Sequence, residues 1–163
     1  MDLDDIGLVD PTPLFTNDRV STVVVGSVAD FREGPALGAF ESDPHPARTT
    51  ALVVDVVKSY KGDAKPGGKV YVELFGAWDP TAALKAIPRG TVVVIYGSPV
   101  DMEEPFTINP SRGKPEGATY LLPGAVGLAI VDPLGGVVFP VRGDTHADWS
   151  IENLLPASAL KAG

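Results

Sequence analysis

Hydrophobic positions recur along this chain in short runs that alternate with polar residues or continue unbroken, a period-2 rhythm that predicts strands. In RVSTVVVGSVADF, residues 19–31, Val20, Thr22, Val24, Gly26 and Val28 share one face of an extended chain, and Val23 and Val25 lie on the other. That pattern predicts a strand buried on both faces near its middle. Gly26 interrupts the run, and a glycine inside a strand marks a bulge or a sharp bend. ARTTALVVDVVKSY, 47–60, places Leu52, Val54, Val56 and Tyr60 on one face, with Asp55 opposite and turned to water or to a neighbouring backbone N–H. KVYVELF, 69–75, alternates cleanly, with Val70, Val72 and Leu74 against Lys69, Tyr71, Glu73 and Phe75. GTVVVIYG, 90–97, is apolar on both faces and reads as a central strand.

The text between these runs is rich in turn formers. KGDAKPGGK, 61–69, sits between two period-2 segments and predicts a hairpin connection. Lys58, Lys61, Lys65 and Lys69 give that hairpin local positive charge, read as gatekeepers that keep its tip soluble, with ligand binding as the alternative. WDPTAALKAIP carries the best helix signal. Asp79 can cap, Pro80 suits the first helical position, and Pro88 ends the helix after Ile87. TYLLPGAVGLAIVDPLGGVVFPV predicts a short strand over 119–122. A hairpin follows, in which Val126, Leu128 and Ile130 face Val137, Phe139 and Val141 around DPLGG. Pro140 has no N–H to donate, which assigns the last strand to an edge or a bulge. The tail predicts a short helix capped by Asp148 or Ser150, packed through Trp149, Ile151, Leu154 and Leu155. Residues 32–47 and 98–118 read as two long loops, and residues 1–18 as an irregular acidic arm broken by Pro11 and Pro13.

Composition narrows the class. A chain of 163 residues, 44% hydrophobic, is long enough for one core, so residues 19–163 read as a single β domain. Glycine and proline make up about a fifth of the chain, which suits many short strands joined by turns. Cysteine is absent, which excludes disulfides and thiolate metal sites. The net charge of −8, with 13 basic residues and no basic cluster, argues against nucleic acid and against anionic membrane surfaces. No apolar run reaches the roughly 20 residues that a membrane-spanning helix needs. MDLDDIGLVD lacks a basic start followed by an apolar stretch. Two expectations fit: a cytoplasmic protein, or an exported mature form whose leader is replaced by Met1.

The order strand, strand, strand, helix, strand, strand matches the five-stranded OB-type barrel. The text VVVGSV, then VVDVVKSYKGDAKPGGKVYVEL, then IPRGTVVVIYG, within residues 19–97, resembles small bacterial exported domains of the netrin/TIMP-like branch of OB barrels. The resemblance implies a mostly β, OB-like barrel of five to seven strands. A short helix would lie between strands three and four, and a second helix at the C-terminus. It also favours an extracytoplasmic location. It implies no activity, and the disulfides common in netrin-type modules cannot form here.

Candidate chemistry is sparse. Asp144, His146 and Asp148 in RGDTHAD alternate, so an extended chain would present them on one face to a divalent ion; the alternative is a polar loop with a capping aspartate. Asp2, Asp4 and Asp5 lack the glycine and closing glutamate of a calcium loop. No nucleophile elbow or phosphate loop is present, although Ser21 or Ser98 could meet His45 or His146 in space. Glu103, Glu104 and Glu116 supply carboxylates on a proline- and glycine-rich loop, a poor setting for a catalytic pair. Tyr71, Phe75 and Trp78, if exposed, could stack on a sugar or a peptide, and Glu103, Glu104 and Phe106 lie on the second long loop. These features predict a non-catalytic binding module without a cofactor, recognising another protein, a carbohydrate or a peptide. The alternatives are a metal-dependent hydrolase at Asp144, His146 and Asp148, or a structural assembly subunit.

Overall fold

The computed structural model describes residues 11–76, 78–100 and 107–162. The protein is mostly β, as its alternation predicts. Its strands are β1 (Thr22–Leu37), β2 (Ala47–Lys61), β3 (Lys69–Phe75), β4 (Val92–Pro99), β5 (Thr107–Ile108), β6 (Tyr120–Val131), β7 (Val137–Phe139) and β8 (Asp144–His146). Helix α1 (Pro80–Ala86) lies between β3 and β4, and α2 (Ala157–Ala162) ends the described chain. The strands form one eight-stranded sheet in the order β3-β2-β1-β4-β6-β7-β8, with β5 added to β1. All pairings are antiparallel except one: β3 also meets β6 in parallel, through Tyr71↔Tyr120 and Val72↔Leu121, so the strand path returns on itself.

Several boundaries differ from the sequence reading. Eight strands are present among the described residues, not five to seven. β1 runs on to Leu37, so the loop expected over 32–47 is confined to residues 38–46. Backbone pairing, not burial, carries this extension: Arg32 and Glu33 are exposed, yet they pair with Ala51 and Thr50. Pro35 fits because the register shifts between Glu33 and Ala36, and the Thr49 hydroxyl donates to its carbonyl at 2.6 Å. The strand expected over 119–122 and the first arm of the following hairpin are one strand, β6. β7 is not an edge strand. β8 pairs with it, and Pro140 falls in the turn just beyond. The C-terminal segment opens as a 3-10 helix, Ile151–Leu154, with Ser150 as its N-cap and the Ser150 N–H donating to Asn153 Oδ1 at 2.9 Å.

The two larger of three buried clusters follow from strands that are apolar on both faces. Val24 and Val28, Leu52 and Val54, Val72 and Leu74, and Val93 and Ile95 converge in one, with Leu84 and Ile87 of the helical segment packed against it. Val23 and Val25 point the other way, into a second core with Val94, Tyr96, Phe139 and Leu154. Leu14 joins this second core at 1% exposure, from a 3-10 turn over Thr12–Thr16. Residues 11–18 therefore carry a packed turn where a solvated arm was expected; residues 1–10 lie outside the described residues. Lys61, read as a gatekeeper, holds this turn by donating to the carbonyls of Phe15 at 2.9 Å and Asn17 at 3.0 Å.

Candidate binding site

The end of β3 brings the candidate residues together. Tyr71, Glu73 and Phe75 share one face of β3, and the three fare differently. Tyr71 is buried against Ala51, Val53 and Tyr120, so it cannot stack on a ligand as the sequence reading allowed. The cause is the segment 109–118, which folds back over this face. There the Tyr120 hydroxyl donates to the Arg112 carbonyl, and a Cβ on Gly113 would stand 2.7 Å from both Ala51 Cβ and the Tyr120 hydroxyl. Arg112 pairs with Glu33 at 3.2 Å, which ties the segment to β1.

Phe75, two residues on, is 56% exposed. Gly76, with φ of 105°, then turns the chain, and Trp78 packs half-buried against Phe31 with ring centroids 6.3 Å apart. The Thr50 hydroxyl donates to the Trp78 carbonyl at 3.0 Å and fixes the segment on β2. Phe75 and Trp78 border a cleft of about 860 Å³, whose far wall is built by Ser98, Leu122, Pro123 and Pro140. Asp18 and Arg19 also line it and are exposed. Of the sequence candidates, Phe75 and Trp78 therefore meet at one site and Tyr71 does not. Glu103, Glu104 and Phe106 lie outside the described residues.

Glu73 is the residue that sequence reasoning missed. It lines the cleft and yet is 1% exposed. On an alternating strand its position reads as a solvent face. The available signal was its two neighbours on that face, Tyr71 and Phe75, which are too apolar for a freely solvated surface. Its charge is felt nearby: burial first, and then the Glu73 carboxylate, raise the Tyr120 phenol well above its ordinary value of 10.0. Ser98, considered in the sequence only as a possible nucleophile, also lines the cleft. Its Oγ is buried and makes no hydrogen bond among the described residues.

The other candidate chemistry is dispersed. Asp144 pairs with Arg142 at 2.7 Å, the His146 ring stacks on Trp149 with centroids 4.0 Å apart, and Asp148 is exposed. Among the described residues no group of three His, Cys, Asp or Glu side chains converges to hold a metal ion. Ser21 Oγ contacts Thr22 Oγ1 and the Gly97 carbonyl, and neither histidine ring bonds to Ser21 or Ser98. No helix of the described residues is long and apolar enough to cross a membrane. Compared with family models, with curated proteins and with solved structures, the chain matches none.

Proposed function

We infer that this chain is a non-catalytic binding module built on an OB-like barrel, and that the cleft beside Phe75 and Trp78 is where it takes an extended protein segment or carbohydrate chain. The barrel reading rests on strand order: β1, β2, β3, β6 and β4 pair in a circuit with one parallel junction, and a helix lies between β3 and β4. β5, β7 and β8 are additions to that circuit. The observation that carries the binding reading is the cleft itself. A volume of about 860 Å³, walled largely by apolar side chains and carrying an aromatic ring that is 56% exposed, suits a ligand that buries apolar surface. Phe75 is not alone there: it shares the cleft with Trp78, Leu122 and Pro123, and that grouping of apolar surface is what supports a recognition role.

Panels of proline-rich peptides, aromatic peptides and soluble oligosaccharides, titrated into isotope-labelled protein, test this reading. The expected result is chemical-shift change confined to residues around the cleft. Phe75→Ala should weaken binding about tenfold, the loss expected for an aromatic anchor. Its far-ultraviolet spectrum should stay unchanged. Ligands that perturb only the β6–β7 turn or residues 38–46 would overturn the assignment.

A further inference from the structure

The cleft beside Phe75 opens where the strand circuit stops pairing. β3 and β6 share a parallel contact that ends at Val72↔Leu121. Beyond it, consecutive residues of both strands line the cleft: Glu73, Leu74 and Phe75 on one side, Leu122, Pro123 and Gly124 on the other. Side chains of a strand alternate between its two faces, so a cleft lined by consecutive residues runs between strand edges and not over one face. Two features of β6 end the contact. The Val100 N–H donates to the Tyr120 carbonyl at 2.9 Å, so Tyr120 and Leu122 turn their backbone groups to β4, and Leu121 and Pro123 turn theirs to β3. The next ladder bond toward β3 would come from Pro123, which has no N–H. β6 then bulges: between Gly97↔Pro123 and Ile95↔Leu128, Tyr96 stands opposite residues 124–127, and a bulged strand bends.

The other side of the cleft is an open edge. Val56 donates to the Gly68 carbonyl and accepts from the Gly67 N–H, both at 2.9 Å, which sets the alternation along the β2–β3 pair. Val70, Val72 and Leu74 therefore turn their backbone groups to β2. Phe75, opposite Thr49 in the alternate kind of pair, turns its N–H and C=O to the β6 side. Among the described residues no strand pairs with Phe75 there. A polypeptide in extended form repeats the N–H and C=O pattern that such an edge continues, and a sugar chain does not. We propose that the cleft takes an extended polypeptide by strand addition, in the place in the sheet that β6 leaves. Its main chain pairs with the Phe75 N–H and C=O, and its side chains lie against Trp78, Leu122 and Pro123. This rests on the binding reading above and selects polypeptide over carbohydrate for the same cleft.

The test titrates the isotope-labelled full chain with three probes: the β-prone peptide acetyl-Thr-Val-Thr-Val-Thr-amide, its depsipeptide with esters in place of the three inner amides, and maltopentaose. The ester keeps the extended shape and removes the N–H donors. The peptide should shift the Phe75 amide, slow its hydrogen exchange at least about tenfold, and bind at least about tenfold more tightly than the depsipeptide. Phe75→Ala should weaken both peptides and keep their ratio, because the bonds are made by the main chain. Equal binding of peptide and depsipeptide, a ratio that vanishes in Phe75→Ala, or binding of maltopentaose alone overturns strand addition and leaves the cleft as a binding site. No shift at the Phe75 amide or the Trp78 indole with any probe at millimolar concentration overturns both.

Discussion

Gly26 shows how one missing side chain shapes the sheet. A Cβ there would lie 2.3 Å from the Asp55 carbonyl oxygen and 2.5 Å from Val54 Cγ1, beside a register shift between Val25 and Gly26. Gly26→Ala should therefore destabilise the fold by about 2–3 kcal/mol, the cost of overpacking a tight interior, measured by urea unfolding. A shift within error would show that the strands can separate there at little cost. The bend was legible from the sequence, because glycine in a valine run has few other uses. Asp55 was legible only in part: it faces outward, but its partner is Lys69 across the sheet, in register with it. Tyr120 carries a pH signature. Its phenol holds its proton more tightly in the native state than in the unfolded chain, so the unfolded state loses that proton first as pH rises. Stability from this group is complete below about pH 10 and is lost as pH climbs beyond it. The alkaline fall in unfolding free energy should flatten in Tyr120→Phe; an identical slope in the two proteins would refute the assignment.

Short segments with strong local signals formed where their chemistry predicted. Helix α1 starts at Pro80, with Asp79 accepting from the Ala82 N–H at 3.3 Å, and the backbone leaves helical geometry at Ile87, just before Pro88. Asp79→Ala should cost about 1 kcal/mol and lower the melting temperature by about 2–4 °C. An unchanged melting temperature would mean that packing of Ala83, Leu84 and Ile87 alone holds the helix. The β6–β7 turn also obeys its local code, with the Leu134 N–H donating to Asp132 Oδ1 at 2.8 Å and both following glycines at positive φ. Strands with weak signals were another matter. β5 has two residues and β8 three, and neither carries an alternation long enough to read. Each exists because a neighbouring strand presents unpaired N–H and C=O groups at its edge, which is a property of the partner.

Across the assembled protein, the second core makes the C-terminal segment part of the fold. Leu154 is fully buried, and its carbonyl accepts from the Tyr96 hydroxyl at 2.8 Å. Leu154→Ala keeps that hydrogen bond and removes only the packing. It should cost about 3 kcal/mol in urea or thermal unfolding. A loss below about 1 kcal/mol would mean that the segment packs loosely enough to collapse into the space. The cleft is likewise a product of assembly. Its walls come from the turn before β1, the ends of β3 and β4, the start of β6 and the turn after β7, which no local pattern joins.

Alternation, glycine, proline and charge were enough to establish a mostly β chain, two-faced central strands, a capped helix after the third strand and the absence of thiol chemistry. Each of these depends on residues close in sequence, whose steric and hydrogen-bonding preferences act before the chain is folded. Strand order, the parallel contact of β3 with β6, the burial of Glu73 and Tyr71 on a face that reads as half-polar, and the pairing of Phe75 with Trp78 around one cleft depended on long-range packing. Burial is a property of what lies opposite a side chain, and here the opposite wall comes from segments tens of residues away.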